Sequence, residues 1–215
     1  MTIRSLLRST ILASPLLALV AGSAMAQTPA ANVLGRLTPV TDDMLKNPPE
    51  NDWLMWRRTY NGWGYSALNQ INKDNVKNLQ LVWSWGLTPG GMTQETPLVH
   101  DGVMFVQNST HLIQALDAAT GELLWQYQHR LPDTVSPNGV RTKAIYGDNL
   151  IVATRDAHVI AINAKTGKLV WDQQVGDPKK GWGYSSGPIV ANGVIVQGMT
   201  GCGNAQPGGC FFTGH

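Results

Sequence analysis

Cysteine is nearly absent from this chain, with two residues in 215, Cys202 and Cys210, which excludes a metal centre built from cysteines alone. Charge is sparse too: 14% of the residues are charged against 43% hydrophobic, the composition of a folded protein with a sizeable core and not of a disordered tail. Long apolar runs are missing. The longest covers residues 11–20, too short for the ~20 residues that a membrane span requires. Basic patches are missing as well. Arg4 and Arg8 precede that run, and without them the formal charge of +2 falls to 0, so no nucleic-acid partner is expected.

Residues 1–26 have the order of a secretory signal: Arg4 and Arg8, the apolar run, then Ala24-Met25-Ala26 as a small-x-small cleavage site before Gln27. Export of the mature chain, with no transmembrane span, is the expectation. In an oxidising compartment a disulfide is the favoured state for Cys202 and Cys210, which enclose the loop-forming Gly-Asn-Ala-Gln-Pro-Gly-Gly. A metal pair is the weaker alternative, because the five histidines are scattered at positions 100, 111, 129, 158 and 215.

What the chain has in quantity is tryptophan and glycine, 8 and 23 residues, and a repeat accounts for both. Ala115-Leu116-Asp117-Ala118-Ala119-Thr120-Gly121-Glu122-Leu123-Leu124-Trp125 returns 46 residues later as Ala161-Ile162-Asn163-Ala164-Lys165-Thr166-Gly167-Lys168-Leu169-Val170-Trp171. Each copy reads as a β-hairpin. Asp117 and Asn163 open the turn because a short Asx side chain bonds the backbone two residues on, and Gly121 and Gly167 supply a positive φ. Short apolar strands opened by turns precede the hairpins at 103–106 and 150–152 and recur at 194–196. A period of ~40–50 residues with four short strands and a fixed aromatic is the mark of a β-propeller, an all-β fold whose blades stack about an axis.

Before the repeat, residues 27–51 read as a surface-running arm with one short helical turn at 42–46. The aromatic stretch Trp53, Trp56, Tyr60, Trp63 and Tyr65 is expected to pack that arm on the propeller. Residues 69–79 predict a turn and a short helix capped by Asn72, and residues 79–85 a strand, with Trp83 standing 42 residues before Trp125. Blade lead-ins are predicted at 94–99, 142–145 and 185–190, at like positions facing the axis end where ligands collect in propellers. From residue 52 on, the period yields three and a half blades, with residues 211–215 in the second strand of another. Four to eight blades are usual, so the chain is expected to be the N-terminal portion of a longer protein.

These motifs resemble the pyrroloquinoline quinone (PQQ) dependent alcohol dehydrogenases, eight-bladed propellers with tryptophan-docking repeats. The resemblance covers residues 52–215, about half of such a propeller. It rests on Tyr65-Ser66-Ala67-Leu68-Asn69-Gln70-Ile71-Asn72, on Asn78-Leu79-Gln80-Leu81-Val82-Trp83-Ser84-Trp85, on Gln94-Glu95-Thr96-Pro97-Leu98-Val99 and on the two hairpins. It implies a periplasmic enzyme that oxidises an alcohol by hydride transfer to PQQ, with calcium or a lanthanide on the quinone and cytochrome c as electron acceptor. PQQ is a flat tricarboxylate with an ortho-quinone, so its site needs cations, hydroxyl or backbone donors, and a divalent ion to polarise the reactive carbonyl. On matching positions Glu95 and Arg141 contact the cofactor, Ser185 binds one of its carboxylates, and Thr200-Gly201 replaces a Ser-Gly pair with the same task.

Two departures stand out. The family's adjacent cysteines before the arginine are replaced by Thr134-Val135-Ser136-Pro137, and the metal-binding Glu is replaced by a loop whose one candidate oxygen ligand is Asn204. The resemblance further implies that a Cys202–Cys210 disulfide braces this loop beside the cofactor. The family's catalytic Asp lies beyond residue 215, so no catalytic residue is nominated, and these 215 residues alone are expected to show no turnover. The competing expectations are a non-enzymatic periplasmic scaffold of the outer-membrane assembly type and an inactive truncated product.

Overall fold

The computed structural model describes residues 30–87, 92–137, 139, 141–201 and 210–215. The predicted signal segment, Cys202 and Asn204 lie outside these. Eleven strands fall into three antiparallel sheets. The first blade is β1 (Leu98–His100), β2 (Val103–Gln107), β3 (Leu112–Asp117) and β4 (Leu123–Gln128), hydrogen-bonded in that order. The second repeats it with β5 (Ala144–Tyr146), β6 (Asn149–Ala153), β7 (His158–Asn163) and β8 (Leu169–Gln174). The third has β9 (Ile189–Ala191), β10 (Val194–Gly198) and β11 (Phe212–Gly214).

The predicted hairpins are present and nearly superimposable in their chemistry. The Asp117 carboxylate accepts from the backbone N–H of Ala119 and Thr120, and the Asn163 carbonyl oxygen accepts from Lys165 and Thr166. The register slips by one residue at the same place in both blades, after Ala115 and after Ala161. Trp83 lies on the first turn and Trp125 on the second, each donating its indole N–H to a turn carbonyl, Ala118 at 3.2 Å and Ala164 at 2.9 Å. Gly121 and Gly167 are fixed twice over: φ is +74° and +66°, and a Cβ on either would stand 2.7 Å from the indole above it. So the tryptophan of one repeat docks on the Thr-Gly turn of the next.

The blade count differs from the expectation. Among the described residues there are two complete blades and three strands of a third, and Phe212–Gly214 is the third strand of that blade rather than the second strand of a further one. The difference arises because residues 52–87 form no sheet. Residues 79–85, predicted as a strand, run extended without a sheet partner among the described residues, and Leu81 and Val82 are 85% and 81% exposed. Val76–Asn78 is a single 3-10 turn with Asn75 at its N-cap, while Asn72 uses its side chain on the N–H of Asp74 instead of capping a helix.

The arm is more ordered than its composition suggests. Helix α1 (Ala30–Arg36) precedes the predicted turn, which is α2 (Asp42–Lys46), its N-cap hydroxyl on Thr41 accepting from Met44 N–H. Val33, Leu37, Val40, Leu45 and Leu54 are buried in one core with both blades. Bridges Val40–Gly147 and Trp53–Val99 tie the arm to the second and first blades respectively. The predicted aromatic packing holds only in part. Tyr60 donates to the Val190 carbonyl, but Trp56, Trp63 and Tyr65 remain exposed.

Candidate cofactor site

Antiparallel up-and-down order places the starts of β1, β5 and β9 and the end of β10 at the same end of the three sheets. The predicted contacts therefore collect there. Thr96 N–H donates to the Arg141 carbonyl at 2.9 Å, which sets Glu95 beside the arginine across the first two blades. Arg141, an exposed residue, extends to the third, its Nη1 donating to the Ser185 carbonyl at 3.1 Å. Thr200 pairs with Gly183, two residues before Ser185, through both backbone bonds of an isolated bridge.

Three details change the expected roles. Glu95 does not stand open: its carboxylate is buried and paired with Lys143, whose side chain is wholly buried and which no sequence motif marks as a partner. Burial pushes the Glu95 carboxyl above the usual carboxylate range, opposed by Lys143 and by the backbone N–H of Gln107. Its second oxygen, Oε2, is buried and completes no hydrogen bond. Thr200 spends its hydroxyl proton on the Gly183 carbonyl at 2.8 Å, so it offers lone pairs and not a donor. Gly201 has a reason independent of any ligand: φ is +83°, and a Cβ there would stand 1.7 Å from the Gly181 carbonyl oxygen.

Behind these residues the histidines that look scattered in the sequence converge. His129, after β4, donates Nε2–H to both oxygens of Asp156 in the β6–β7 turn, at 3.0 and 2.9 Å, and so ties the first blade to the second. His158 pairs with Asp172 at 2.6 Å, and the His129 ring lies 5.6 Å from that of His158 and 6.2 Å from that of His111. Burial favours a protonated Asp156, but hydrogen bonds from His129 and Thr154 overcome it and hold the carboxyl at about 2. His111 is buried and pushed down to about 4 by burial and by His129, so it is neutral. Its Nε2 accepts from Arg155 N–H at 3.2 Å, and its Nδ1 lies 2.7 Å from the side-chain amide nitrogen of Gln107. No spacing rule joins positions 111, 129, 156 and 158; only the blade stacking does.

At the other end, Asp52, His100 and Asp101 hold ligand-type atoms within 4.8 Å of one another. Both His100 nitrogens are engaged, Nδ1 with Asp52 at 2.7 Å and Nε2 with the Thr38 carbonyl at 2.8 Å, which makes the group a clamp for the arm. Burial opposes protonation of His100, yet these partners and Asp101 outweigh it and raise its pKa. A cavity of about 620 Å³ beside the clamp, between the arm and the hairpin turn 117–120, is lined by none of the predicted cofactor contacts.

Blades of antiparallel strands stacked one on the next, and locked by tryptophan on Thr-Gly turns, define a β-propeller. Residues 53–207 match the family described as PQQ, the β-propeller domain of glucose, ethanol and alcohol dehydrogenases, and the chain belongs to that family. It is 40% identical over 150 residues to the quinoprotein alcohol dehydrogenase PedH of Pseudomonas putida, an alignment covering 65% of this chain and 24% of that protein. Its fold superposes on quinohemoprotein alcohol dehydrogenase from Comamonas testosteroni with a TM-score of 0.71 at 30% identity, over 80% of this chain and 27% of that one. A europium-containing methanol dehydrogenase follows at 0.68 and 28% identity, over 74% and 29%. The chain thus spans about a quarter of the length of the proteins it matches. Among the described residues no helix is long and apolar enough to cross a membrane.

Proposed function

We propose that this chain supplies part of the cofactor face of a periplasmic PQQ-dependent alcohol dehydrogenase, exported by the signal at residues 1–26. The observation that carries this reading is the meeting of Glu95, Arg141 and Ser185 at one end of successive blades, with Glu95 Oε2 buried and unsatisfied. A buried acceptor without a donor costs about 1–3 kcal/mol, and a ligand that brings an N–H or O–H removes that cost. The guanidinium of Arg141, an exposed residue, suits an anionic, carboxylate-bearing cofactor. These residues fit PQQ, whose quinone, when bound, accepts the hydride of the alcohol carbon. Arg141 would hold the anion, Ser185 and the Gly201 backbone would contact its carboxylates, and the blade starts would exclude water from one edge.

Calcium or a lanthanide completes the reading, with Asn204 as the one ligand nominated in this chain and a Cys202–Cys210 disulfide bracing that loop. Cys210 is disulfide-bonded and no described cysteine is free, which supports the brace. Cytochrome c is the proposed electron acceptor, and no catalytic base is nominated in this chain. The test is a PQQ titration of the full-length gene product with calcium or europium present. Saturable binding that Arg141→Ala weakens by about tenfold or more is expected from the loss of a charge-assisted contact. Wild-type protein that binds no PQQ with either ion overturns the reading.

A further inference from the structure

A carboxylate in a pocket for an anionic ligand needs an explanation, because like charges repel and a buried charge is costly. The Glu95–Lys143 pair supplies it. Lys143 sits on the lead-in to β5, two residues after Arg141, and its side chain is fully buried, as is that of Glu95 on the lead-in to β1. Their positions are 48 residues apart in the sequence and on different blades. The ammonium takes one carboxylate oxygen, Oε1, and leaves the other, Oε2, without a partner. With both groups ionised the pair as a whole is neutral and Oε2 is a pure acceptor. Arg141, exposed alongside, keeps a full positive charge for the ligand because Glu95 is already compensated.

We propose that Lys143 is a positioning residue that divides recognition between two neighbours: it cancels the charge of Glu95 so that Glu95 Oε2 reads an N–H or O–H donor of the cofactor, while Arg141 reads its anionic edge. This rests on the quinone reading of the site. Without Lys143, Glu95 has two poor states. Ionised, it repels the anionic ligand; protonated, it presents a donor where an acceptor is wanted.

The experiment uses full-length protein and measures the PQQ dissociation constant from pH 6 to pH 9 for wild type, Lys143→Met, Lys143→Arg and the double variant Lys143→Met/Glu95→Gln. Wild type and Lys143→Arg are expected to hold a flat profile. Lys143→Met is expected to lose about tenfold or more between pH 6 and pH 9, as its unpaired Glu95 ionises, and the double variant is expected to be flat again. A flat profile for folded Lys143→Met, or the same slope in the double variant, overturns the proposal. Should Lys143→Met fail to fold, Lys143→Arg and the double variant, which buries no unpaired charge, still decide it through their affinities relative to Glu95→Gln. The melting temperature without ligand is the second readout. Lys143→Met is expected to lose stability as pH rises and the double variant is not, so wild type that binds no PQQ sinks the quinone reading while this slope still judges the ion pair.

Discussion

The second and third blades start from the same strand pattern and end in different environments. The middle strand β6 is buried at four consecutive positions, 150–153, whereas its counterpart β10 alternates exposed and buried, with Val194 and Val196 open on one face. The innermost strands differ in the same way, buried throughout most of β5 and on one residue only of β9. A blade's own sequence therefore settles which residues lie in its sheet and which face is apolar. Burial of the other face comes from the neighbour, and its instrument is the tryptophan on the Thr-Gly turn.

Glycine substitutions break this comparison most sharply. Gly167 and Gly193 have nearly the same φ, +66° and +75°, but a Cβ meets the Trp125 ring at 2.7 Å in the first and only the Tyr146 hydroxyl at 3.6 Å in the second. Gly167→Ala is expected to cost about 3 kcal/mol, strain plus overpacking, and Gly193→Ala about 1 kcal/mol, strain alone. Thermal or denaturant unfolding of both variants checks the ratio; equal losses would mean that the indole gives way freely and does not hold the blades.

Acid sharpens the contrast next, because the junction of the first two blades carries His111. Its folded value of about 4 lies below the ordinary 6.5, so its contribution is fully present above pH 6.5 and is lost as pH falls to 4. At about 1.4 kcal/mol per pH unit the loss approaches 3 kcal/mol. His111→Gln should flatten that slope in melts between pH 7 and pH 4. The arm clamp has the opposite sense. His100 is raised above its ordinary value, so its share of stability is present at acid pH and disappears as pH rises through the raised value. The smallest effect belongs to Val194, exposed among the described residues, where Val194→Thr in this 215-residue chain should change stability by less than about 0.5 kcal/mol.

The hairpins were legible because turn chemistry is local: Asp117 and Asn163 bond groups two and three residues away, and their glycines follow at a fixed offset. The blade count was not, because Trp83 repeats the aromatic spacing of a blade while residues 79–85 contribute an indole and no sheet. Within the site, Arg141 and Ser185 could be placed from motif positions, and they do meet. Lys143 could not, since an ion pair across 48 residues leaves no pattern in the sequence and a lysine on a strand ordinarily points to water. His129 and Asp156 were invisible for the same reason: they pair only after two repeats have stacked.

Each repeat carries its tryptophan on one side and its glycine turn on the other, which gives the stack an arrow. A self-similar unit with distinct head and tail surfaces adds copies by one repeated rotation, and it closes into a ring only if that rotation divides a full circle. The thickness of an indole wedged against a backbone turn helps set that angle. The angle between two adjacent blades is then a property of the joint between them, and a change at Gly121 or Gly167 acts on that joint as well as on stability.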